Sequence, residues 1–228
     1  MRNVGILAVV VVFAMAGISQ AAITVDVGAS YPTSGIEIET FDFSGLGSSA
    51  PMALKDERDV CQSFTVASEF TLSDVYIEYS NLQYDKNVRV RVYEIDAPAP
   101  EDHTSVPAPK SGTSDLINTV VSTPSSGGET GSTHDLMHFA MSGGDQVTLD
   151  PGAYVFMLDP DGADNDLALY WYYNWGSTGA SYDGGSFHAN RDYGGPADGA
   201  MVMVPEPATM SLLALGGLGV LIRRRRRA

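Results

Sequence analysis

Val88-Arg89-Val90-Arg91-Val92-Tyr93 alternates apolar and polar side chains with a period of two. Successive side chains of an extended strand point to opposite faces, so the valines line a buried face and Arg89, Arg91 and Tyr93 a cationic outer one. The same period recurs on both sides of this segment. Upstream, Val75, Ile77 and Tyr79 share one face while Asp74, Tyr76 and Glu78 share the other. Leu72 has the wrong parity for that strand, which predicts a turn or bulge at Ser73-Asp74. In Cys61-Gln62-Ser63-Phe64-Thr65-Val66 the alternation puts Phe64 and Val66 inward and Cys61, Ser63 and Thr65 outward. Gln62 shares the inward parity, so its amide must find partners on neighbouring backbone. Ile36, Ile38, Phe41 and Phe43 form a further run.

Downstream, Leu116 to Val121 and Met137-Phe139-Met141 supply two more strands. Ala153 to Leu158 is apolar on both faces, as a central strand requires. Ala97 to Thr113, rich in Pro, Ala and Ser, is expected to be a long exposed excursion, and the Gly/Ser-rich Ser122 to Thr133 a hairpin loop. No amphipathic helix interrupts the pattern. The fold class expected is all-β, a β-sandwich of jelly-roll type.

The two ends differ from this body. Arg2 precedes an apolar run from Val4 to Ile18 that closes on Ser19-Gln20-Ala21, the pattern of a secretory signal-peptide helix cut after Ala21. Its fifteen apolar residues fall short of the about 20 that a comfortable membrane span needs. At the other end, Val204-Pro205-Glu206-Pro207-Ala208-Thr209 leads into an apolar stretch, Ala208 to Ile222, and then into Arg223-Arg224-Arg225-Arg226-Arg227. Prolines on both sides of Glu206 are expected to keep it out of helix and sheet ladder alike, as an extended and accessible segment. As a helix the apolar stretch would be ~22 Å long, short of a ~30 Å hydrocarbon core. Arginine snorkelling and local thinning close that gap. Five arginines hold their end in the cytoplasm and leave the body on the far side.

The tripeptide Pro205-Glu206-Pro207, the short Leu/Gly-rich apolar stretch with Gly216, Gly217 and Gly219, and the terminal basic cluster together resemble the PEP-CTERM sorting signal, a tail also known as the ice-binding protein C-terminal domain. The resemblance implies an exosortase-type enzyme that recognises the tripeptide and releases or transfers an exported body. It implies a transient inner-membrane anchor, followed by a cell-surface or extracellular address. It carries no implication of ice binding. A second resemblance covers Gln62-Ser63-Phe64-Thr65-Val66, Leu72, Val75, Val88 to Glu94, Leu149-Asp150-Pro151-Gly152-Ala153-Tyr154, Gly184-Gly185-Ser186 and Asp198-Gly199-Ala200-Met201-Val202. These segments are similar to a jelly-roll body often joined to such tails, the last being its closing strand. The resulting division is a signal peptide at 1–21, a sandwich body at 22–203 and a sorting tail at 204–228.

Charge narrows the partners. The whole chain carries −15. Arg2 and the five terminal arginines lie outside the body, which retains seven cations against twenty-seven anions, a net −20. Such a surface repels nucleic acid and anionic lipid; cations and neutral polymers such as extracellular polysaccharide are acceptable partners. Cys61 is the single cysteine, so there is no intrachain disulfide.

Within the body, Asp159-Pro160-Asp161-Gly162-Ala163-Asp164-Asn165-Asp166 crowds carboxylates between two strands. Asp159, Asp161, Asp164 and Asp166 are candidate calcium ligands, since a hard cation takes six to eight oxygens. The spacing is not that of an EF-hand, and the same residue types form solvated turns, which is the leading reading. In Leu167-Ala168-Leu169-Tyr170-Trp171-Tyr172-Tyr173 the parity places Tyr170 and Tyr172 on one face, a candidate platform for stacking sugars, weighed against cross-strand aromatic pairing. His134 and His138, four apart on a strand, stand ~13 Å apart and do not chelate one metal. No nucleophile elbow, zinc-protease helix or phosphate-cradling glycine loop is present. The expectation is a non-enzymatic exported protein without a required cofactor. A calcium-stabilised carbohydrate-binding module is the alternative, and a two-carboxylate glycan hydrolase a distant third.

Overall fold

A computed structural model of the chain describes residues 22–40, 49–54, 59–80, 87–97, 105–123, 135–160, 169–175, 182–189 and 197–206. They form β1 (Ala22–Val27), β2 (Ile38–Glu39), β3 (Ser49–Leu54), β4 (Val60–Val66), β5 (Phe70–Ser80), β6 (Asn87–Ile95) and β7 (Ile117–Ser122). There follow β8 (Asp135–Ser142), β9 (Val147–Leu149), β10 (Gly152–Pro160), β11 (Leu169–Trp175), β12 (Phe187–Ala189), β13 (Ala197–Gly199) and β14 (Met201–Pro205). The only helical element among them is a 3₁₀ turn at Gly143–Asp145. No described helix is long and apolar enough to cross a membrane. The expected signal-peptide helix and the C-terminal membrane helix lie outside the described residues.

The strands pair into two antiparallel sheets. One has five strands in the order β12-β4-β10-β6-β7; the other has nine, built on the path β1-β8-β5-β11-β13 with β14, β2, β3 and β9 alongside. Their facing sides share one core, the arrangement of a β-sandwich. Phe139 and Trp171 of the large sheet meet Phe156 of the small one edge-to-face at 5.8 and 6.0 Å, and Phe187 continues the contact to Trp171 at 5.4 Å. Each ring so buried contributes about 1.5–3 kcal/mol relative to exposure. β10 is the central strand that its two-sided apolar sequence predicts, lying between β4 and β6. Tyr154, Phe156 and Leu158 enter the shared core; Ala153, Val155 and Met157 enter a second cluster on the sheet's outer face. The Tyr154 hydroxyl donates to the Asp150 carbonyl at 2.9 Å, pinning the turn that switches the chain from β9 in one sheet to β10 in the other.

Two predictions from parity are met in detail. Gln62 is buried on the inner face, where its Oε1 accepts the Gly199 amide at 2.6 Å and its Nε2 donates to the Ser63 carbonyl at 2.9 Å. On β5 the pairing with β14 runs Val204 to Asp74 and then Pro205 to Leu72, skipping Ser73. That is a bulge, and it lets Leu72 and Val75 both point inward although three apart.

Three expectations are corrected. Ser122 to Thr133 does not close a hairpin: β7 pairs with β6 in the small sheet, whereas β8 pairs with β1 and β5 in the large one. The excursion Ala97 to Thr113 is not wholly exposed. From Ser105 it packs onto the small sheet, with Val106 against the second cluster. The Lys110 amide bonds to the Glu94 carbonyl at 2.8 Å, and the Tyr93 hydroxyl donates to the Pro107 carbonyl at 2.9 Å. Finally, Cys61 has the outward parity expected but is fully buried, because that cluster of Tyr93, Ile95, Ala153, Val155 and Met157 surrounds it. Burial, and after it the Asp59 charge, push its thiol far above the ordinary range, which disfavours the thiolate form.

Candidate functional site

The junction between body and tail is built by β14. Met201, Val202 and Met203 are fully buried. Their backbone is held on both sides, by β5 and by the segment around β2: the Thr40 and Glu37 amides donate to the Met201 and Met203 carbonyls, each at 3.0 Å. Thr40 Oγ1 also lies within hydrogen-bond reach of the Gly199 and Met201 carbonyls.

Beyond Met203 the anchoring changes. Val204, Pro205 and Glu206 are half-buried, and among the described residues β5 supplies their backbone partners. Pro205 has no N–H to give a ladder, yet the strand continues through it because the bulge at Ser73 re-phases the pairing. Past the proline, the Glu206 amide donates to the Thr71 carbonyl at 2.8 Å. Ser73 Oγ reaches the Val204 carbonyl at 3.1 Å and the Asp74 carboxylate on its other side. The expectation that the tripeptide stands clear of any ladder is thereby corrected for Pro205 and Glu206: they are extended, but docked on β5. Pro207, Ala208 to Ile222 and Arg223 to Arg227 lie outside the described residues, as does Ala21.

Next to this junction, the outer face of the large sheet carries a polar row. His138 on β8 donates from Nε2 to Asp74 Oδ1 at 2.7 Å, with Asp26 of β1 at 3.9 Å from its Nδ1. Its ring stacks on Tyr76 at 4.3 Å, nearly parallel. Burial works to raise the Asp74 pKa, but hydrogen bonds from His138 and Ser73 outweigh it and hold the carboxyl below its ordinary value. His138 is thus a cross-strand tie, and His134 lies outside the described residues.

The cationic outer face predicted for β6 exists, but its charges are spent locally. Arg91 makes a two-point bond to Asp115 at 2.8 and 3.1 Å and lies 5.1 Å from the centre of the Tyr93 ring. Arg89 pairs with Asp159 at 3.1 Å. Asp59, half-buried beside Asp159, has its pKa pushed up to about 6, mainly by burial and then by the Asp159 charge, with Arg91 and Arg89 opposing.

Asp159 is accordingly charge-balanced by Arg89; Asp161, Asp164 and Asp166 fall outside the described residues. No group of three or more His, Cys, Asp or Glu able to hold a metal occurs among the described residues. Tyr172 has the parity opposite to the core residues Trp171 and Tyr173, but it is only 6% exposed. A platform for sugars needs an open ring face, and Tyr172 has little of its surface open; β11 lies inside the large sheet, with β3 on one edge and β13 and β5 on the other. The Tyr170 side chain lies outside the described set. Sequence reasoning missed Thr71 and Ser73 as the dock for the tail. The one signal that points there is the parity break at Leu72.

The molecule is therefore an all-β, two-sheet body whose closing strand runs without a linker into a proline-flanked tail. That tail, over residues 204–227, matches the PEP-CTERM protein-sorting motif. No curated protein and no solved structure matches the chain. The motif supports exosortase-type sorting of an exported protein.

Proposed function

We propose that the chain is a non-enzymatic surface or extracellular-matrix protein, cut by signal peptidase after Ala21 and processed through Pro205-Glu206-Pro207 by an exosortase-type enzyme. The apolar stretch 208–222 is a temporary membrane hold, and Arg223 to Arg227 fix its orientation. The sorting motif at 204–227 is the observation that carries this reading. Its body is a jelly-roll-type sandwich that associates with extracellular polysaccharide, a partner compatible with a surface of net −20.

The test is expression of the full chain with Glu206→Ala, and separately with the five terminal arginines changed to glutamine, in a host that has the enzyme. Both variants are expected to accumulate as the unprocessed precursor, while the parent chain matures. Equal maturation of all three refutes the sorting role. For the body, binding to isolated envelope polysaccharide without a calcium requirement is expected. Binding that depends on calcium and is lost on Asp161→Asn with Asp164→Asn would replace this reading with the carbohydrate-binding-module alternative. Hydrolysis of the polysaccharide would replace it with an enzyme.

A further inference from the structure

We infer that the folded body masks Pro205 and Glu206 of its own sorting tripeptide. Residues 204–206 are docked on β5, through the ladder to Asp74 and Leu72 and the bond from the Glu206 amide to the Thr71 carbonyl, and the processing enzyme acts on molecules in which that clip has opened. The inference rests on the sorting reading above and adds a regulatory step to it.

The observations are geometric. An enzyme that cuts or transfers at a peptide takes its substrate extended, with backbone groups free to pair with the enzyme. Here the Glu206 amide is already committed to the Thr71 carbonyl at 2.8 Å, and the Val204 carbonyl lies 3.1 Å from Ser73 Oγ. Glu206 and Pro205 are half-buried against the body. No slack separates them from the core, because Met203, two residues before Pro205, is fully buried. A rigid body docked this way keeps the tripeptide from entering a second active site.

The same geometry supplies a fault line. Through Met203 the strand is held from both edges and by buried side chains. From Val204 onward the described backbone partners come from β5 alone, the register is shifted, and Pro205 contributes no donor. Opening therefore breaks few interactions and stops at Met203, leaving the sandwich closed. Local openings of this kind are far more frequent than global unfolding, and the open fraction sets the rate of any reaction that needs it.

The experiment is a pulse–chase of the full chain in a host carrying the enzyme, scored as precursor conversion. A six-residue Gly/Ser insertion between Val204 and Pro205, which frees Pro205 and Glu206 from β5 and leaves β14 in place through Met203, is expected to speed conversion by about threefold or more. Glu206→Ala in the same hosts calibrates the assay. Conversion blocked by Glu206→Ala but unchanged or slowed by the insertion overturns the mask while leaving the sorting role standing. Conversion indifferent to Glu206→Ala overturns both.

Discussion

The outer faces of the two sheets share the same alternation and have opposite fates. On the small sheet, Cys61, Tyr93, Val155 and Met157 point away from the shared core and are nonetheless dry, with Val106 packed against them. On the large sheet, His138, Asp74 and Tyr76 also point away from the core, and they remain partly wet, tied to one another by a hydrogen bond and a ring stack. Alternation specifies which way a side chain points. Whether something lies on top of it is decided by distant chain.

The comparison can be broken most severely at Gly185. A Cβ there would stand 1.9 Å from the Ser63 carbonyl oxygen and 2.4 Å from its carbon, backbone atoms that cannot yield. The close approach exists because Ser63 and Ser186 exchange bonds: the Ser63 amide donates to the Ser186 carbonyl at 2.9 Å, and the Ser186 amide to Ser63 Oγ at 2.8 Å. Gly185→Ala is expected to cost about 3 kcal/mol or more, lowering the melting temperature by roughly 6–12 °C in a thermal scan. A milder break is Val106→Asp, which places a carboxylate against the dry cluster. It should cost about 1–2 kcal/mol and expose Cys61. Thiol labelling checks it: the parent should be labelled only on denaturation, the variant in the folded state.

Asp59 sharpens the contrast through pH. Its folded pKa of about 6 lies above its ordinary 3.8, so between those values the native state holds more protons than the unfolded one. Its charge therefore subtracts stability as pH rises through that window, with the full cost present above pH 6. Asp59→Asn is expected to raise the melting temperature at pH 7.5 by roughly 2–4 °C, and to leave it unchanged near pH 3.5. Asp74, on the wet face, has the opposite sign. Its folded pKa is below 3.8, so its stabilisation is complete above that value and is lost as pH falls below it. His138→Gln removes the stronger of the two hydrogen bonds that depress it. In an NMR titration the Asp74 carboxyl should move upward, and stability should fall by less than about 1 kcal/mol.

Much of the fold was legible because it is local. The Val88-Val90-Val92 alternation, the two-sided apolar β10 and the inward Gln62 each report a pleat that their own neighbours determine. Even the bulge at Ser73 announces itself, since Leu72 and Val75 cannot share a face without one. What escaped is long-range. Nothing in Tyr172 shows that its side chain would be buried, and nothing in the Pro/Ala/Ser composition of 97–113 shows that Val106 would settle near Cys61. The tail departs from expectation at the same level: proline's missing donor argues against a ladder, whereas the partner strand carries the irregularity that accommodates it. Parity breaks, which look like noise in a strand pattern, are thus the best local guide to where two distant segments meet.

The sorting role of the tail is tested most directly by the intact mass of the protein recovered from its native envelope. The account predicts a species that begins at Ala22 and lacks the arginine cluster, with any added mass at its new C-terminus. A single species retaining Met1 and Ala228 would contradict it.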